Sequence, residues 1–106
     1  MSYRIVRHPA VERDIFDIVD LISDYAGTEV AFAKLAEIER SVRRLSDTPR
    51  IGTIRDDIRP GLRAIPTARK GVSTFTADDA ARIVFIVSIT YAGADWVGRL
   101  SDRKPG

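Results

Sequence analysis

The chain has 106 residues, of which 44% are hydrophobic and 30% charged, with 17 Lys and Arg against 15 Asp and Glu. That composition describes one folded domain with a single modest core and excludes a disordered chain. Cysteine is absent, which excludes disulfides, thiol catalysis and cysteine-ligated zinc.

"YRIV" (3–6) reads as a short strand. "HP" at 8–9 reads as a helix start, with His8 capping and Pro9 at the first helical position, where its missing N–H costs nothing. Val11, Ile15, Ile18, Val19 and Ile22 then form one helical face, and Asp14, Asp17, Asp20 and Asp24 fall mainly on other faces. Gly27 suits the end of that helix, and Thr28 is placed to cap a second one. Phe32, Leu35, Ile38, Val42 and Leu45 give the second helix a narrow stripe, and Ala31, Ala33 and Ala36 allow close approach. With only one or two residues between them, the helices must form an antiparallel hairpin.

Pro49, Gly52, Pro60 and Gly61 break the periodicity of residues 46–61, which read as a long connection. Three strand-like segments follow at 62–68, 71–77 and 81–92, separated by short turns, so they predict an antiparallel meander. Pro66 marks its strand as an edge or an irregular one. In the last strand, alternation puts Ile83, Phe85, Val87, Ile89 and Tyr91 on one face. The expected fold is α+β with the order β-α-α-β-β-β: an N-terminal helical hairpin packed on a small, four-stranded antiparallel sheet. One domain is expected over residues 1–100, with a loose tail over 101–106.

The longest apolar run, "IVFIV" (83–87), is far short of the ~20 residues that span a membrane. The N-terminus lacks an apolar signal-peptide core, so a cytoplasmic chain with no membrane partner is expected. Charge is uneven: residues 1–49 hold 7 basic and 9 acidic residues, whereas 50–82 hold 7 basic and 4 acidic. The arginine-rich stretch 59–75 therefore stands out, with Arg59, Arg63, Arg69 and Lys70 as candidates for binding a partner or target. Trp96 is either a seal on the core or an exposed anchor.

Chemistry is sparse. His8, the lone histidine, has no metal-ligand spacing around it, and no phosphate-binding glycine loop occurs. Asp56–Asp57 and Asp78–Asp79 sit in turns, where aspartate bonds the local backbone. No metal or other cofactor is expected. Arg63 and Arg82 would clamp a phosphate if they lay on neighbouring strands facing the same way. Tyr91 would then be an acid or base, although alternation favours a core position for it.

Several stretches resemble the ParE/RelE superfamily of type II toxin–antitoxin toxins, also called plasmid stabilisation proteins. They are "RDIFDI" (13–18) after Ala10, "DTPRIG" (47–52), "RPGLRAIP" (59–66), "VSTFTADD" (72–79) and "IVFIVSITYAGADW" (83–96). The resemblance implies the fold expected above and a growth-inhibiting toxin neutralised in a hetero-oligomer with a cognate antitoxin. It also implies one of two targets. RelE-like members are ribosome-dependent mRNA endonucleases that carry a Lys/Arg cluster and a Tyr near the C-terminus. ParE-like members lack that cluster and act on DNA gyrase. Arg63 and Arg82 would correspond to two RelE-type arginines. The only lysines are Lys34, Lys70 and Lys104, however, and no tyrosine follows the last strand. The resemblance is therefore more ParE-like, with gyrase as target and no catalysis. The alternative is an endonuclease that uses Arg63, Arg82 and Tyr91 on ribosome-bound mRNA.

Overall fold

The computed structural model describes residues 2–103. Strand β1 (Arg4–Arg7) leads through a turn into α1 (Val11–Ala26) and α2 (Thr28–Arg44). The turn keeps Pro9 out of the helix: α1 starts two residues later than Pro9, and His8 Nδ1 accepts the Ala10 N–H at 3.0 Å. One residue, Gly27, links the helices at φ 92°, a conformation that favours glycine. It ends α1 and begins α2, so Thr28 lies inside the helix rather than capping it.

The meander is β3 (Arg63–Thr67), β4 (Gly71–Asp78) and β5 (Ile83–Tyr91), within a residue or two of the expected bounds. The sheet differs from expectation in two ways. A two-residue strand, β2 (Thr53–Ile54), pairs with β3 and makes the sheet five-stranded. In addition, β1 pairs with β5 in parallel, so the sheet is mixed, in the order β1-β5-β4-β3-β2. A parallel pair needs a long connection, and the helical hairpin together with β2, β3 and β4 lies between β1 and β5. Pro66 escapes penalty because β2 reaches only Arg63 and Ala64, leaving the Pro66 end of β3 at an open edge.

The hairpin covers one sheet face. Val11, Ile18 and Ile22 of α1 and Ala31, Ile38 and Val42 of α2 pack on Ile65, Phe75, Val84, Ile86, Ile89 and Tyr91. Phe32, placed on the buried stripe by spacing, is 56% exposed, and Leu35 is only half-buried. The small Ala31 takes the packing position instead. Strand β5 does not keep one alternation. Thr74 opposes Ser88 while Phe75 opposes Ile86, so Val87 is an extra residue in the ladder. Val84 and Ile86 before it share the helix face with Ile89 and Tyr91 after it, whereas Phe85 and Val87 pack on the other side.

Beyond β5 a single-turn helix, α3 (Trp96–Arg99), runs into a 3₁₀ turn at Leu100–Asp102. These residues lie on the sheet's other face, where Leu62, Val87 and Leu100 form a small second cluster with Ile58, Phe85 and Trp96. Residues 101–103 thus belong to the packed structure and are no loose tail. Residues 104–106 lie outside the described range. No helix among the described residues is long and apolar enough to cross a membrane.

Candidate functional site

The C-terminal turn is held chiefly by polar anchors. Asp14 lies on α1 between Val11 and Ile18, and its side chain is wholly buried. Its carboxylate accepts two bonds from Arg103 (Nη1 at 2.5 Å, Nη2 at 2.7 Å), one from Arg99 Nη1 at 2.9 Å and one from the Ile89 N–H at 3.0 Å. Arg103 Nη1 also donates to the Val87 carbonyl at 3.1 Å. Asp14 in turn raises the Arg103 pKa, chiefly through this hydrogen bonding. The sequence reading puts Asp14 mainly off the apolar face, whereas the structure buries it there. Its position three after Val11 and four before Ile18 was the available signal for the face it occupies.

Arg59 is the second anchor. Its Nη2 donates to the Leu100 carbonyl at 2.6 Å, while its buried Nη1 finds no acceptor among the described residues. This arginine, selected from sequence as a partner contact, thus points into the protein's own C-terminal turn. Trp96 is half-buried against the second cluster, and the Arg55 guanidinium lies over its ring, 5.1 Å from the centroid. Trp96 therefore closes the smaller cluster and still shows one edge. Arg55, absent from the sequence-derived set, is forked onto Asp57 at 3.1 and 3.0 Å, which raises the Arg55 pKa and lowers that of Asp57. Together Thr53, Arg55, Ala64, Pro66, Val72 and Trp96 line an open depression of about 260 Å³ on the sheet.

The structure does not bring the remaining candidates together. Arg63 on β3 donates to the Arg50 carbonyl at 2.6 Å. Arg82 sits in the β4–β5 turn at φ 55°, and β4 intervenes between β3 and β5. Two strand spacings, about 10 Å, therefore separate β3, which carries Arg63, from β5, which begins just after Arg82. Tyr91 is 6% exposed and packs in the main core. Burial, then its contact with Tyr25, pushes its pKa up, which makes it a poorer base at neutral pH. Arg69 and Lys70 are exposed at the β3–β4 turn. The paired acids serve local needs: Asp56 accepts the Gly61 N–H, Asp78 accepts the Ala81 N–H, and Asp79 is shared by Tyr3 and Arg50.

No family model matches the chain. It is 40% identical over 60 residues to toxin ParE3 of Caulobacter vibrioides, covering 57% of this chain and 60% of that protein. It is 35% identical over 65 residues to toxin ParE1 of Mycobacterium tuberculosis, covering 61% of this chain and 66% of the toxin. The matches thus span less than two thirds of these relatives. Among solved structures, the chromosomal ParDE system of P. aeruginosa superposes with a TM-score of 0.73 at 20% identity, over 86% of this chain and 97% of that one. The chain is thus similar in sequence to ParE toxins and shares the fold of the ParDE structure. A mutant of E. coli toxin RelE in the free state shares the fold at a TM-score of 0.61 and 15% identity, over 92% of both chains. The toxin–antitoxin complex RelBE2 of M. tuberculosis does so at 0.60 and 16%, over 87% of this chain and 100% of that one. At those identities the likeness is one of fold.

Proposed function

We propose that this chain is the toxin of a type II toxin–antitoxin pair, that it arrests growth by binding DNA gyrase, and that a cognate antitoxin holds it inactive. The observation that carries this reading is its 40% identity to a ParE toxin. Two structural neighbours come from the ParDE system and the RelBE2 complex, which makes an antitoxin the natural partner to look for. A binding toxin needs no convergent catalytic groups. The separated Arg63 and Arg82 and the core position of Tyr91 suit that requirement better than they suit an endonuclease. Arg69, Lys70 and Trp96 are the proposed contact residues, and Arg59 and Arg63 support the surface through their backbone contacts.

The deciding experiment induces the chain alone in bacteria and follows DNA and protein synthesis with labelled precursors. DNA synthesis should fall first, and purified protein should inhibit gyrase supercoiling. Early arrest of translation, lost in Arg63→Ala and Arg82→Ala, would replace this reading with the mRNA endonuclease.

A further inference from the structure

The strongest unsatisfied positive charge lies away from the stretch 59–75. Arg40, Arg43 and Arg44, spaced i, i+3 and i+4, share one face at the C-terminal end of α2. All three are exposed, and none makes an ion pair or side-chain hydrogen bond among the described residues. With Asp47 they line an open depression of about 330 Å³ that has no apolar side chain in its lining. Backbone bonds bring more charge to this end of the molecule. Tyr3 and Ser46 join the start of β1 to the end of α2, and the Arg4 N–H donates to the Arg82 carbonyl at 2.9 Å. Arg4 and Arg82 are also exposed. Asp78 and Asp79, by contrast, are already engaged by Ala81, Tyr3 and Arg50.

From this arrangement we infer that the α2 C-terminal arginines form a docking site for the phosphate backbone of duplex DNA. Protein contacts combine arginine with apolar and aromatic anchors at their centre, and this depression supplies arginine without any such anchor. Single-stranded nucleic acid is gripped by stacking on aromatic rings, which its lining also lacks. A regular row of phosphates asks only for fixed cations, and arginine on a rigid helix supplies them. Arg40 to Arg44 rises about 6 Å along the helix, about two steps of the ~3.4 Å axial rise per phosphate on one strand, and so brackets three successive phosphates. The inference stands apart from the proposed target, since a gyrase-binding toxin could act without it.

Fluorescence anisotropy of a labelled 24-base-pair duplex, titrated with the full chain, tests the idea. Three phosphate contacts give a slope of log K against log salt near −2.7, a loss of about 40-fold between 50 and 200 mM salt. Arg40→Gln/Arg43→Gln/Arg44→Gln should lower affinity at least tenfold at 50 mM, whereas Arg69→Gln/Lys70→Gln should leave it within twofold. If the triple variant fails to fold by circular dichroism, single Arg44→Gln decides, with an expected change in slope of about 0.9. No binding at 50 mM salt, or unchanged binding by the arginine variants, overturns the inference. Equal arginine-dependent binding of polyglutamate also overturns it and makes the site a dock for acidic protein.

Discussion

Replacing Asp14 with alanine tests what holds the C-terminal turn. The variant strips a wholly buried carboxylate from two arginines, of which Arg103 keeps only 11% side-chain exposure and Arg99 keeps 34%. It also leaves the Ile89 N–H without its acceptor. Breaking a buried ion pair from one side costs about 3–5 kcal/mol, because the remaining charge stays desolvated. An orphaned buried N–H adds about 1–3 kcal/mol. Release of the turn caps the arginine part of this cost, since freed side chains recover water. A total of about 3–5 kcal/mol is expected, a large share of the roughly 5–15 kcal/mol that stabilises a domain. Trp96 is the only tryptophan and sits on that turn, so its fluorescence reports the turn while far-ultraviolet dichroism reports the whole fold. In urea the two transitions should coincide for wild type and separate for Asp14→Ala, with Trp96 moving first. Asp14→Leu combined with Arg103→Met should recover the part of the loss due to the Arg103 charge, because an apolar pair avoids burying it, but not the part due to the unpaired Ile89 N–H. A cost below about 1 kcal/mol for Asp14→Ala, with coincident transitions, would refute the reasoning and mean that water already screens the network.

Gly52→Ala should destabilise by on the order of 2–4 kcal/mol in urea melts: φ is 91°, and a Cβ would lie 2.5 Å from the Ala64 carbonyl oxygen and 2.6 Å from Ile65 Cγ2. A change under 0.5 kcal/mol would mean that the 47–52 turn does not press on β3. Burial raises the Tyr91 pKa above its ordinary value near 10, so its contribution to stability is complete below that value and is lost as pH rises through the raised folded value. Stability measured from pH 8 to 11 should therefore drop at the alkaline end, and Tyr91→Phe should flatten the drop; identical profiles would place the hydroxyl in water. Deleting Val87 removes the extra ladder residue and leaves Ile86, Ile89 and Tyr91 on the helix face. It should fold with a loss of about 2–4 kcal/mol from the second cluster. A chain that does not fold would show that the bulge itself sets the sheet's curvature.

Much of the fold was legible because its signals are local. The 3–4 spacing of Val11, Ile15, Ile18 and Ile22 predicts a buried helical face, and the bounds of the meander strands follow from short turns. What escaped depends on distant partners. A two-residue strand such as Thr53–Ile54 has no periodicity of its own and exists because β3 offers an edge. The parallel pairing of β1 depends on where the long connection through the hairpin and β2, β3 and β4 returns the chain. The spacing of Asp14 marks its face but not its burial, because aspartate is rarely buried unless paired, and its partners lie 85 and 89 positions away. The inward turn of Arg59 is hidden for the same reason. A run of cations in sequence says nothing about which of them turn inward, and Arg59 does so to hold Leu100.

The bulge at Val87 links these separate misses. Strict alternation would put Phe85, Val87, Ile89 and Tyr91 together on one face, and one extra residue divides them between two. The division lets a single strand face the hairpin at both its ends and still send Phe85 and Val87 to the opposite side. It also presents the Val87 carbonyl and the Ile89 N–H to the polar network, where Arg103 and Asp14 meet them. The small second cluster, the C-terminal turn and the Trp96–Arg55 rim are therefore built around one local break in the ladder. Among the described residues that cluster has three buried apolar side chains against fourteen in the main core, so charge rather than apolar burial must fix the turn in place. A surface positioned in this way is rigid only while Asp14 keeps both of its arginines. The proposed contact at Trp96 should then weaken in Asp14→Ala even though Asp14 itself touches no partner.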